Sequence, residues 1–139
     1  MQTHQPNQIM TLTFATISSR IKAVFVDTLL IVILAYLISE TLTRFEDVPV
    51  YVRISLFTII FVLYDPLFVS LFGATVGHSY FKIKVKSKKQ PQKNISFFSA
   101  LIRYMLKYTL GWISLLTISG NSEKRAIHDM AGGSIVLEE

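Results

Sequence analysis

Apolar positions fall into three blocks along the chain. The first runs from Arg20 to Glu40 (R-I-K-A-V-F-V-D-T-L-L-I-V-I-L-A-Y-L-I-S-E), where only Lys22 and Asp27 interrupt residues 21–39 with charge. That is enough residues to cross the roughly 30 Å hydrocarbon core of a bilayer as a helix, so a span is predicted over about 21–39. A second run, Val50 to Phe72, predicts another span, broken only by Arg53 and by Asp65-Pro66. Proline removes a backbone donor and clashes with the preceding turn, so a kink is expected near Leu63 to Pro66, with a freed carbonyl that could serve as a ligand. The third block, Ile95 to Ser119, carries Arg103 and Lys107 one helical turn apart and leaves only Tyr108 to Ile118 free of charge, which is short for a span. It predicts a partly amphipathic helix over about 96–119 that either crosses or lies in the interface and re-enters. The second arrangement keeps both termini in the cytoplasm and satisfies the positive-inside rule throughout.

Between the second and third blocks the period changes to two. Phe81, Ile83 and Val85 alternate with Lys82, Lys84 and Lys86, which predicts a short cytoplasmic extended segment. After the third block come a polar turn, a short helix over Lys124 to Met130, Gly132-Gly133 and an apolar, strand-like end. Residues 1–19 read as a polar tail, with an uncleaved signal-anchor following. The expected fold class is an all-α membrane protein: two full transmembrane helices, a third apolar helix that is amphipathic or re-entrant, and the extended segment, in one domain over 20–136.

Composition sharpens this picture. Of the 139 residues 51% are apolar and 17% charged, and the net charge of +5 sits mostly in one loop. Six lysines between Gly73 and Asn94, against none between Glu40 and Val52, place that loop and the N-terminus in the cytoplasm. Lys82, Lys84, Lys86, Lys88 and Lys89 are the expected contacts to anionic lipid, in preference to nucleic acid. With no cysteine there is no disulfide framework and no thiol nucleophile. His78 and His128 lack metal-ligand spacing, and no nucleophile–base pair stands out, so neither a metal site nor an enzyme is expected. So small a bundle favours a homo-oligomer.

The acids inside the apolar blocks carry the candidate chemistry. Asp27 at membrane depth costs several kcal/mol unless it is paired, protonated or wet. Arg20 lies seven residues earlier on the same face, about 10 Å away, and Asp65 falls at similar depth in the second span. Ser55, Thr58, Val62, Asp65 and Val69 follow helical spacing, so Asp65 is expected to face Asp27 across a polar seam. Two carboxylates there need a proton, a monovalent cation or a basic side chain from Arg20, Arg103 or Lys107 to balance them. Gly73-x-x-x-Gly77 reads as a turn before the lysine run, although the spacing also suits helix packing. Asp129 could cap its short helix or reach Arg103.

Taken together, Arg20 opening the first span, Asp27 within it, G-A-T-V-G leading into I-K-V-K, the segment S-F-F-S-A-L-I-R and the closing K-R-A-I-H-D-M-A-G-G-S resemble the RDD family of small bacterial membrane proteins. That family is named for an arginine and two aspartates. Arg20 and Asp27 match the first two, and Asp129 matches the second aspartate within Arg125, His128 and Asp129 of R-A-I-H-D, with Asp65 as the alternative. The resemblance implies a multi-pass protein of the bacterial inner membrane, and for some members cation/proton antiport. The expected function is therefore a small cation/proton exchanger using Asp27 and Asp65, with Arg20 or Arg103 competing for the carboxylates and Lys107 a further charge-balancing candidate, without a cofactor beyond a possible bound monovalent cation. The alternative is a non-transporting scaffold or accessory subunit whose buried charges fix helix packing and whose lysine loop binds lipid or a partner.

Overall fold

A computed structural model describes residues 12–139, so most of the polar tail, residues 1–11, lies outside the described residues. Helix α1 (Ile17–Leu42) starts where the Thr16 side chain accepts a hydrogen bond from the Ser19 amide at 3.2 Å. Its 26 residues extend about 39 Å, more than the bilayer core requires. The buried residues Arg20, Ala23, Asp27 and Ile31 form one stripe at helical spacing. Elsewhere Phe25, Val32, Tyr36 and Leu37 are exposed, and only 17% of the most apolar stretch of this helix is buried within the protein. A core helix of a water-soluble domain would cover such a surface; a membrane span leaves it to lipid.

The second span is two helices joined by a π-helical turn. Helix α2 (Val50–Thr58) runs into the wide turn Ile59–Leu63, and α3 (Tyr64–Phe72) follows. The expected disruption is therefore present just before Pro66. Phe61 lies five residues ahead of Pro66, which has no N–H to give in π-type pairing, and its carbonyl instead accepts the Tyr104 hydroxyl. The inserted residue also shifts the helical phase. Ser55 and Thr58 point to the exterior whereas Asp65 and Val69 are buried, so the predicted polar stripe does not continue along the helix.

Helix α3 ends at Gly73 in the left-handed region (φ 74°), a conformation that glycine adopts without steric cost. The short helix α4 (Val76–Tyr80) then packs on α1, and strand β1 (Ile83–Ser87) leads toward α5 (Phe97–Leu110). Helix α5 is capped by Ser96 and stops at Gly111, where a 3-10 helix, Gly111–Ile118, takes over. At 14 residues α5 spans about 21 Å, short of the bilayer core. Helix α6 (Ile127–Ala131) and strand β2 (Ser134–Glu138) complete the chain.

The expected helical architecture with two apolar helices is present, and the extended segment adds a small sheet to it: β1 and β2 pair antiparallel with Val85 opposite Val136, and the segment before α1 joins the other edge of β2 through Ala15 N to Val136 O (2.9 Å) and Glu138 N to Thr13 O (2.8 Å). The folded unit consequently begins before Arg20. Each strand is legible alone from its alternation, but pairing between residues fifty positions apart depends on the helices that carry them. The core of Ala15, Ala23, Val69, Ile83, Val85, Ala100 and Val136 lies where this sheet meets the helix ends.

Candidate functional site

Four helices bring the charged residues together. Arg20 enters from the buried stripe of α1, Asp65 from α3, Arg103 and Lys107 from one face of α5, and Asp129 from α6. They form an alternating chain of ions. Arg20 Nη1 donates to Asp129 Oδ2 at 2.5 Å and Arg103 Nε to Asp129 Oδ1 at 2.9 Å; Arg103 Nη1 stands 3.9 Å from Asp65 Oδ1, and Lys107 Nζ donates to Asp65 Oδ2 at 3.1 Å. Three cations thus alternate with two carboxylates. Arg103 is 2% exposed and Asp129 fully buried, so neither charge could persist there without the other.

Asp129 organises the C-terminal end of the chain. Its Oδ2 also accepts from the Ala126 amide at 3.1 Å, capping α6, while Arg20 Nη2 continues to the Lys124 carbonyl at 2.7 Å. Helix capping and contact with Arg103, offered as alternatives by the sequence, are both made. Burial by itself would raise the Asp129 pKa, but the guanidiniums of Arg103 and Arg20 outweigh it and hold the carboxyl well below the usual range. Arg125 does not join the ion chain; its Nε donates to the Ser134 carbonyl at 2.9 Å and ties α6 to β2. His128 is seated by Ser114, whose Oγ lies 2.6 Å from its Nδ1 and accepts from its amide at 3.1 Å.

Asp27 occupies a separate site. Its Oδ1 accepts from Tyr64 OH at 2.9 Å and the Gly77 amide at 2.7 Å, and its Oδ2 from Thr75 Oγ1 at 2.5 Å. Every one of these donors is neutral. The expected direct facing of Asp27 and Asp65 is replaced by two distinct carboxylate sites that share no partner among the described residues: Tyr64 and the 75–77 turn fill the seam beside Asp27. Gly77 lets that turn approach, since a Cβ there would lie 2.1 Å from the Ala23 carbonyl oxygen and 2.8 Å from the Asp27 carboxylate. In Gly73-x-x-x-Gly77, then, the first glycine makes the turn and the second makes a helix contact.

Thr75 has one hydroxyl proton, directed to Asp27, and its Oγ1 lies 2.7 Å from His78 Nδ1. The Thr75 amide also donates to Nδ1 at 3.4 Å, which closes a reciprocal cap on α4. Burial, reinforced by the Lys107 and Arg103 charges, pushes the His78 imidazole down to about 3, and burial with Arg103 does the same to His128, also to about 3. Both rings are neutral near pH 7. Tyr64, Thr75 and Ser114 escaped the sequence reading. Thr75 three residues before His78 is the spacing of a helix cap, a signal that could have flagged Thr75 itself.

The lysine segment is tied down in part. Lys84 pairs with Glu139 at 2.9 Å, Lys88 with Glu123 at 2.8 Å, and Lys86 donates to Asn94 Oδ1 at 2.7 Å; Lys82 and Lys89 are exposed with no ion partner among the described residues. No group of three or more metal-ligating side chains occurs among the described residues.

Behind the ion chain lies a cavity of about 300 Å³ between α1, α5 and the 3-10 helix, with Arg20, Arg103 and Lys107 on its polar side and Val24, Trp112 and Leu115 on its apolar side. Comparison with known proteins agrees with this architecture at the level of family. No curated protein and no solved structure matches the chain. The family model described as RDD family matches residues 14–133, from the segment that pairs with β2 through the glycines before that strand. An arginine at the start of the first of two apolar helices, an aspartate seven residues on and a second aspartate bound to that arginine thus stand within one matched region, and the chain belongs to the RDD family.

Proposed function

We propose that this RDD-family membrane protein is a non-transporting scaffold or accessory subunit of the bacterial inner membrane, whose buried ions lock α1, α3, α5 and α6 into one rigid unit. The observation that carries this reading is the double ligation of Asp129: each oxygen takes an arginine from a different helix, and the same carboxylate caps α6. A carboxylate so engaged fixes geometry and has no exchangeable position left. In this arrangement the N-terminus is cytoplasmic, α5 lies at the interface, the exposed lysines contact anionic headgroups, and the exposed apolar faces of α1 and α2 meet a partner or a second copy.

Cation/proton exchange is the second reading, favoured by Asp65. Its Oδ1 lacks a hydrogen bond among the described residues, and Lys107, which balances it, is partly exposed beside the cavity. A carboxylate that releases lysine to take a proton or a cation could couple the two. Purified protein in vesicles carrying a sodium or potassium gradient and an internal pH dye tests both. We expect no cation-dependent proton flux from the wild-type chain and a lower unfolding midpoint for Asp129→Asn in detergent. A cation-dependent flux that Asp65→Asn abolishes would overturn the scaffold reading.

A further inference from the structure

The cavity has a chemistry that the ion chain does not use up. Arg20, Arg103 and Lys107 reach its wall, whereas the described lining includes no acid; Asp65 and Asp129 neutralise the cations from behind and leave one positive charge over. Arg20 and Arg103 are 5% and 2% exposed, so each is held from within the protein while its residue lines the cavity. A net positive wall that carries no acid calls for an anion. His78 and His128, both neutral, share that wall.

The remaining lining is apolar and leads outward. Val24 and Leu115 are half-buried, while Ile21 is 53% exposed and Trp112 72% exposed, continuous with the bare apolar face of α1 that bears Phe25. The mouth therefore opens where acyl chains would lie, and the floor is cationic. We propose that this cavity binds an anionic amphiphile, its carboxylate or phosphate headgroup on Arg20, Arg103 and Lys107 and its first methylenes along Val24, Trp112 and Leu115. A fully hydrated anion gains little from the apolar walls, and an uncharged lipid leaves the positive wall without a counter-charge; the amphiphile satisfies both surfaces. The proposal requires α1 in the membrane and holds whether or not the protein transports ions.

Trp112, the chain's single tryptophan, reports on the site directly. The full chain is reconstituted in vesicles containing brominated phosphatidylglycerol, brominated phosphatidylcholine or brominated oleate, and quenching of Trp112 is compared. One net charge at a headgroup site gives about a fivefold preference for the anionic lipids over phosphatidylcholine. That preference disappears in Lys107→Gln and in Val24→Phe, which fills the apolar side, and survives Lys88→Gln with Lys89→Gln, which weakens the surface lysine segment. Lys107→Gln leaves both arginines on Asp129 but takes the lysine from Asp65, so its unfolding midpoint is measured alongside, and Val24→Phe, which removes no ion, tests the site independently. Stronger quenching by phosphatidylglycerol than by oleate assigns a phosphate headgroup, and the reverse assigns a carboxylate; either supports the site. Equal quenching by all three lipids, or a preference unchanged by Lys107→Gln and Val24→Phe, overturns it. Loss of the preference on adding millimolar inorganic phosphate overturns the amphiphile in favour of a free anion.

Discussion

Replacing Gly77 by alanine is the sharpest test of how the 75–77 turn holds Asp27. The added Cβ would sit 2.1 Å from the Ala23 carbonyl oxygen, against an ordinary contact that begins near 3.4 Å, so α4 and α1 must separate by about 1.3 Å. Backbone cannot yield by a rotamer change, which makes this an overpacking cost of about 1–3 kcal/mol. The same displacement breaks the 2.7 Å bond from the Gly77 amide to Asp27, and a buried hydrogen bond to a charged group contributes about 1.5–3 kcal/mol. Together these give a loss of roughly 2.5–6 kcal/mol. Chemical unfolding in mixed micelles, followed by Trp112 fluorescence, measures it. Adding Asp27→Ala relieves only the carboxylate contact, so Gly77→Ala should remain destabilising on that background through the Ala23 carbonyl. A Gly77→Ala protein within about 0.5 kcal/mol of wild type, the range of a neutral surface change, would refute the close packing of α4 on α1.

Other perturbations have equally definite outcomes. Asp129→Asn leaves two buried arginines short of a counter-charge and should cost about 3–5 kcal/mol in the same unfolding assay. Because the folded Asp129 pKa is depressed, its contribution is fully present above the ordinary carboxylate pKa and is lost as pH falls through the lower folded value, so the wild type should lose this stability on acidification and Asp129→Asn should not. His78 is likewise depressed, to about 3: the neutral ring stabilises the fold above its ordinary pKa near 6.5, and that contribution erodes as pH falls from there toward about 3. His78→Gln should flatten the stability–pH curve across that window. Tyr64→Phe removes a donor to Asp27 and the acceptor of the Val76 amide (3.1 Å), and should cost about 1–3 kcal/mol in the unfolding assay.

The ion chain also clarifies what buried charge does here. Replacing such a network by well-packed apolar residues can be neutral for stability, so its presence argues for specificity of arrangement more than for strength. Four elements separated along the chain converge on Asp129 and Asp65, and a shift of any one of them uncovers a charge. That is a reason for the unit to be rigid, and it leaves Lys82, Lys89 and the exposed apolar faces of α1 and α2 outside the ion network.

Periodicity and length alone determined the two apolar helices, the buried stripe through Arg20 and Asp27, the disruption ahead of Pro66 and the extended character of the lysine segment, because each depends on residues within a few turns of one another. The combination of Arg20, Asp27 and the R-A-I-H-D element was likewise enough to recognise the family. Pairing was decided only by the tertiary structure. Asp27 and Asp65 sit at similar depth in the sequence reading, yet the π turn at Ile59–Leu63 rotates one helix against the other and Tyr64, Thr75 and Gly77 take Asp27 for themselves. Asp129 reaches Arg20 across more than a hundred residues because β1, β2 and the segment before α1 draw the two ends of the chain together. A charge in the sequence declares that it needs a partner; which partner it finds depends on helix phase and strand register, and those are set by packing over the whole fold.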